Sequence, residues 1–263
     1  MSAIRAIRAI RAIRAVRSGR IDPTRVRAVV RKEVTDYRRN RFVLGTMTVL
    51  PIVFLANPII NIFTAPTDVS RTALDARVGS TMLFLLLVPV ILPATIAASS
   101  IVTEREQGTL EPVLTTPVRS EELLIGKALA ALIPAVSIAY AMLGIFLLMV
   151  KLFAHQQIAD VALEGPRILA QVLFVPLLAG WAIWAGLAVS VRANDVRVAQ
   201  QLGTLASLPP LAVTALMAFN VITPTFRVAL LFAVGLLVLD VGAYRLIAPM
   251  FDRERLITAR RSK

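Results

Sequence analysis

The sequence contains no cysteine, which excludes a disulfide framework, a thiolate nucleophile and a Cys-based metal site, and leaves the redox compartment open. It has a single histidine, His155, which falls in a predicted connecting loop and reads as a surface side chain rather than a catalytic base. Acids are scarce: 16 Asp and Glu stand against 29 Lys and Arg, for a net charge of +13. No G-x-x-x-x-G-K-[ST] phosphate loop occurs. Gly126-Lys127 is followed by Ala128 and lacks the earlier glycine at the required spacing, so the chain is not expected to hydrolyse ATP. The apolar stretches hold no evident nucleophile, carboxylate pair or metal set, which counts against an intramembrane enzyme.

What the sequence has in excess is apolar residues, 57% of the total, against about 45 to 50% in an ordinary soluble domain. Stretches of about 20 residues with few charges recur at Phe42–Phe63, Thr81–Val102, Ala128–Val150, Ile168–Val191, Gln201–Ile222 and Val228–Ile247. As helices, each can cross roughly 30 Å of hydrocarbon. Six spans bring both termini to one side, together with the 103–127 and 192–200 loops. The opposite loops hold only Arg71, Arg77, Lys151, Arg167 and Arg227 of the 29 basic residues. By the positive-inside rule both termini are expected in the cytoplasm.

Residues 1–20 form a basic, low-complexity arm in which Ala-Ile-Arg repeats through Arg14. Three residues advance about 300° on an α-helix, so successive Arg step round the axis by roughly 60° and make no fixed polar face. A partly disordered arm is expected, with attraction to anionic lipid as its functional alternative. Residues 21–41 differ. Asp22 can cap a helix, Pro23 suits its first position, and Val26, Val29, Val30, Val34 and Tyr37 fall on one face. The other face carries Arg25, Arg31, Lys32, Arg38 and Arg39, the pattern of a helix lying in a membrane interface.

Within the spans, Pro51, Pro58, Pro89, Pro93, Pro134, Pro176, Pro209 and Pro210 are expected to bend or interrupt helices. Asn57, Asn61, Gln171, Gln201 and Asn220 place amides in or near spans, where they bond to neighbouring helices or line a pathway; Asn57, Asn61 and Asn220 are the pathway candidates. Asp240 is the one acid inside a span, and a structural ion pair with Arg245 is expected for it.

The densest acidic stretch is TEREQGTLEPVLTTPVRSEELLIGK, residues 103–127, with five Glu. Thr103 and Glu106 have capping-box spacing. Gly108 should break the chain, Thr109 can cap a new helix, Glu111 favours its positive end and Pro112 is accepted in a first turn. A short helix is therefore predicted from Leu110, with Leu110, Val113 and Leu114 as an apolar edge and Thr115-Thr116-Pro117 as its end. Ser120, Glu121 and Glu122 start the next helix. An apolar edge with an acidic rim is shaped to dock on a basic protein surface.

This run resembles the signature of ABC-2 type permeases, the membrane subunits of a class of ATP-binding cassette transporters. The basic helix before the first span, the six-span layout and the loop SVRANDVRVAQQLGTLASLPP are similar as well. The resemblance implies an all-α membrane protein: an arm over 1–20, an amphipathic interfacial helix over 21–41, a six-helix transmembrane domain over 42–249 with short cytoplasmic coupling helices, and a basic tail over 250–263. It assigns Glu104, Arg105, Glu106, Gly108, Thr109, Leu110, Glu111, Leu114 and Pro117 to a first ATPase-coupling element, with Gly126 and Lys127 where the chain re-enters the membrane. Arg192, Asn194, Asp195 and Gln200 fall in a second, for which an ordinary basic loop capped by Asn194 or Asp195 is the plainer reading.

The resemblance further implies two ATPase subunits carrying ATP and Mg, a second permease copy as homodimer or heterodimer, surrounding membrane lipid, an inner (plasma) membrane location and use in export. The chain itself needs no cofactor and no catalytic or metal residue. A secondary, non-ATP-driven transporter is the alternative; it calls for paired intramembrane charges or internal repeats, and Asp240 stands alone. A membrane-anchored nucleic-acid binder rests only on the Arg repeat, and no specific nucleic acid is expected.

Overall fold

Long helices with short connections follow from apolar runs broken only at polar punctuation, and the computed structural model describes residues 21–64, 70–109, 116 and 118–251 of that pattern. Among the described residues the elements are α1 (Pro23–Arg39), α2 (Arg41–Phe63), α3 (Arg71–Glu106), α4 (Ser120–Phe153), α5 (Gln156–Ala162), α6 (Gly165–Arg192), α7 (Val196–Ala218), α8 (Phe226–Ile247) and a 3-10 turn at Ala248–Phe251, with no strand. Six helices, α2, α3, α4, α6, α7 and α8, are long and apolar enough to cross a membrane. The arm at 1–20 and the tail beyond residue 251 lie outside the described residues.

The chain runs up and down, so that α1, the 103–109 segment, the start of α4 and the α6–α7 connection share one end, the loop end. α3 is the central helix, packed against α2, α4, α6 and α7. It approaches α6 and α7 closely because the meeting residues are small. A Cβ on Gly186 would lie 2.7 Å from the Ala94 carbonyl oxygen, and one on Gly203 would lie 2.8 Å from Ala98 Cβ. In hydrocarbon, where no water drives helices together, such backbone-to-backbone packing holds a bundle.

Three sequence expectations need adjustment. α3 and α4 extend beyond the apolar cores at Thr81–Val102 and Ala128–Val150, since Leu74 and Val78 at one end and Leu123 and Leu124 at the other are buried against neighbours. α7 stops at Ala218 rather than Ile222, and Asn220 turns with φ +54°; a polar residue in the left-handed region ends the helix there. The eight prolines expected to bend or interrupt the spans all sit inside continuous helices, so none of them interrupts a span.

Outward faces are apolar. α2 exposes Val49, Ile52, Val53 and Ile60, and α8 exposes Leu230, Leu231, Leu237 and Val238. With six apolar helices, the protein is an integral membrane protein.

Candidate functional site

At the loop end α3 terminates as the glycine predicts. Gly108 has φ +67°; its N–H donates to the Arg105 carbonyl at 3.2 Å and that of Thr109 to the Glu104 carbonyl at 2.9 Å. These are the two bonds of a Schellman motif, with glycine at the left-handed position. The capping-box reading of Thr103 and Glu106 is not met. Both are within α3, and the Thr103 carbonyl accepts the Gln107 N–H at 3.0 Å, so no helix starts there. Glu106, Gln107, Gly108 and Thr109 are exposed. Leu110, Glu111, Leu114 and Pro117, with the predicted short helix, lie outside the described residues.

The other flank of the loop is fixed by Glu122. It is fully buried in the first turn of α4, where its Oε2 accepts the Arg119 N–H at 2.9 Å, a local role that the sequence suggested. Its Oε1 also accepts the N–H of Asp22 at 2.9 Å, and Arg25 Nη1 lies 3.6 Å from Oε2. One carboxylate thus closes the start of α4 and binds the start of α1.

A second group of charges joins α1, α3 and α4. Lys127 Nζ donates to Glu33 Oε1 of α1 and to Ser100 Oγ of α3, each at 2.9 Å, and lies 3.0 Å from Glu104 Oε2. Lys32 pairs with Glu104, with Glu33 at 3.2 Å and with Asp36 at 3.3 Å. Glu33, Glu104 and Lys127 are all buried. Packing permits the approach: a Cβ on Gly126 would lie 2.6 Å from Val29 Cγ1, so α1 rests on the glycine beside Lys127.

Burial pushes the Glu33 carboxyl up, but Lys127 and Lys32 outweigh it and hold the group below its ordinary 4.5. Burial likewise works against the Lys32 charge, and Glu33 and Glu104 overcome it, raising the ammonium above its ordinary value. Tyr37, half-buried and facing Glu33, Glu104 and Asp36, is held neutral, desolvation and those carboxylates keeping its hydroxyl well above 10.0. Two cations and two buried carboxylates balance. Such a group is retained for the arrangement it specifies more than for net stability.

Sequence reasoning missed this clasp. Glu33 lies in the middle of the arc formed by Val26, Val29, Val30, Val34 and Tyr37, seven residues from Val26 and four from Val29 and Tyr37. A carboxylate inside an apolar stripe was the available signal. Arg25 and Lys32, seven residues apart at one edge of the stripe, face these carboxylates and not only a polar exterior, while Arg31, Arg38 and Arg39 are exposed.

The first loop is also tied to the second. Arg105 donates from Nη1 to the Ala193 carbonyl and from Nη2 to the Val191 carbonyl, both at 3.1 Å, while Ser190 Oγ accepts the Ile101 N–H at 2.9 Å. Asp195 caps α7, accepting from Arg197 N at 2.8 Å and Val198 N at 3.0 Å. Arg192 and Asn194 are exposed and Gln200 is half-buried. Glu104, Arg105, Gly126 and Lys127 are therefore drawn into one assembly with α1 and the end of α6.

The pathway candidates are not brought into that assembly. Asn57 is exposed on α2, Asn61 accepts through its main-chain carbonyl from Arg77 Nε at 2.8 Å, and Asn220 is the turn residue after α7. Gln171 does bond between helices, donating from Nε2 to the Met82 carbonyl at 2.9 Å. The expected Asp240–Arg245 ion pair is absent among the described residues. Five residues on a helix are about 140° apart, so the two side chains leave different faces.

Comparison with known proteins follows from this geometry. A family model described as "ABC-2 type transporter" matches residues 24–230, which include α1, both tied loops and most of the six-helix bundle. No curated protein matches the chain.

Proposed function

The chain belongs to the ABC-2 type transporter family, and on that premise we propose that it is the permease subunit of an exporter driven by ATP hydrolysis in separate cytoplasmic ATPase subunits. It supplies the membrane path and is not itself catalytic. Two ATPase copies, which hold ATP and Mg, and a second permease copy, identical or related, complete the transporter. The exposed apolar faces of the outer helices serve contact with lipid and with that second copy. The segregation of basic residues supports a plasma (inner) membrane location with both termini and the loop end in the cytoplasm.

The observation that carries the coupling assignment is a contrast within one stretch. Glu104, Glu122 and Lys127 are buried in bonds inside the chain, whereas Glu106, Gln107, Gly108, Thr109 and Glu121 are exposed. A segment anchored at both flanks, with exposed residues at 106–109 and 121, can receive a push and pass it on. The ATPase docks on Glu106, Thr109, Leu110, Glu111 and Leu114; Arg192 and Asn194 form a smaller second contact. Glu33, Glu104 and Lys127 transmit the load to α1, α3 and α4, and Arg105 transmits it to α6. ATP-driven closure favours one packing of the bundle because the ATPase dimer binds that packing better.

The test is whether a neighbouring reading frame encodes a phosphate-loop ATPase and whether that ATPase co-purifies with this chain. Leu110→Asp with Leu114→Asp should abolish association and stimulated hydrolysis while the permease still folds. Intact association in that variant would refute the coupling assignment.

A further inference from the structure

α8 carries one carboxylate, Asp240, half-buried within its long apolar run. It lies against α6 at Gly180, where an added Cβ would be 2.7 Å from Asp240 Oδ2; only glycine leaves room for the carboxylate. Oδ1 is shielded and has no hydrogen-bond partner among the described residues. The charges on facing elements do not reach it. Arg167 and Arg192 sit near the two ends of α6, each about 18 Å or more along the axis from Gly180. Lys127 of α4 is committed to Glu33, Ser100 and Glu104, Lys151 is at the opposite end of α4, and Arg245 leaves another face of α8. An ionised carboxylate in such a place is stabilised by a partner cation.

One helical turn further along both helices, Trp184 follows Gly180 and Tyr244 follows Asp240 at four-residue spacing, so each lies on the same face as its predecessor. The two rings meet edge to face, with centroids 5.5 Å apart and planes at 61°. Beside them is a cavity of about 200 Å³ lined by Leu129 and Leu132 of α4, Gly180 and Trp184 of α6, and Tyr244 of α8. Its walls are apolar and aromatic; Asp240 is not one of the lining residues, but it lies directly against Gly180, which is, and no side chain stands between them.

We propose that this groove between α4, α6 and α8 binds a lipophilic ammonium ion, with its apolar body against Trp184 and Tyr244 and its positive charge at Asp240. Aromatic faces and a carboxylate together favour a cation that carries apolar surface. An anion is repelled, and a neutral hydrocarbon leaves Asp240 without a partner. The volume suits one fused aromatic ring system or a short alkyl body. The site lies within a single subunit and away from the loop end, and its occupancy does not depend on the ATPase.

The test uses the full chain in nanodiscs of zwitterionic lipid. Equilibrium dialysis measures uptake of 2-(2-naphthyl)ethylammonium and of its neutral isostere 2-(2-naphthyl)ethanol, with empty nanodiscs subtracted. The unaltered protein should bind the ammonium saturably and at least tenfold more tightly than the alcohol. Asp240→Asn should remove that preference while ATPase co-purification persists, and Trp184→Leu should weaken the ammonium several-fold. Equal binding of ammonium and alcohol by the unaltered protein overturns the proposal whether or not a variant folds. Undiminished ammonium binding by Asp240→Asn overturns it as well.

Discussion

Lys127 Nζ donates to Glu33 Oε1 at 2.9 Å across 94 residues of sequence, joining the helix that leaves the 103–127 loop to the helix that precedes the first span. With Glu104 at 3.0 Å from the same nitrogen, the pair makes α1 a strap across both flanks of the loop. A displacement of the loop cannot move α4 without loading α1 and α3 as well.

Lys127→Met should damage this strap severely. Removing one member of a buried charge group leaves its partners unpaired, at a cost of about 3 to 5 kcal/mol. In detergent the variant should melt several degrees lower, and adding Glu33→Gln and Glu104→Gln should recover part of the loss. A single variant that melts with the unaltered protein would show that the strap contributes no stability.

The strap should be insensitive to pH between about 6 and 9. Glu33 is held below its ordinary 4.5, so its contribution is present above that value and is lost as pH falls through the lowered pKa. Lys32 is raised, so its contribution is present below its ordinary 10.5 and is lost as pH rises through the raised pKa. Amide protection factors in α1, with the intrinsic pH dependence of exchange divided out, should therefore stay constant across neutral pH and fall only in strong acid or strong alkali. Release of α1 between pH 6 and 8 would contradict this.

Gly108 should be replaceable by Asn but not by Val. Its φ of +67° costs a residue with a Cβ roughly 1 to 2 kcal/mol, least for Asn. An added Cβ meets nothing within 4 Å, so the penalty comes from the backbone. Val should shift the exit of α3 and weaken ATPase association several-fold with little change in melting temperature; equal association by both variants would place the loop's direction under other control.

Most of the fold was legible because hydrocarbon demands long apolar helices, and runs such as Ala128–Val150 cannot be read otherwise. Gly108, Asp22, Pro23 and Asp195 acted as the terminators and caps that local chemistry predicts. The strap was not legible. Glu104 and Glu122 were visible as carboxylates near helix ends, but their partners Lys32, Arg25 and the Asp22 N–H are far away in sequence, and long-range pairing leaves no local period. Asp240 shows the converse: proximity in sequence suggested Arg245, and helical register rules that partner out.

The central claim is that the 103–127 loop meets the ATPase through its exposed residues, Thr109 among them. The chain is free of cysteine and Thr109 is exposed, so a photo-reactive benzoylphenylalanine placed there can be compared with one at Leu231, on the outward face of α8. In membranes containing an ATPase that co-purifies with the chain, illumination should join position 109 to that subunit, more strongly with ATP bound, and leave position 231 unlinked to it. Absence of a cross-link from 109, or equal linkage from 231, would contradict the account.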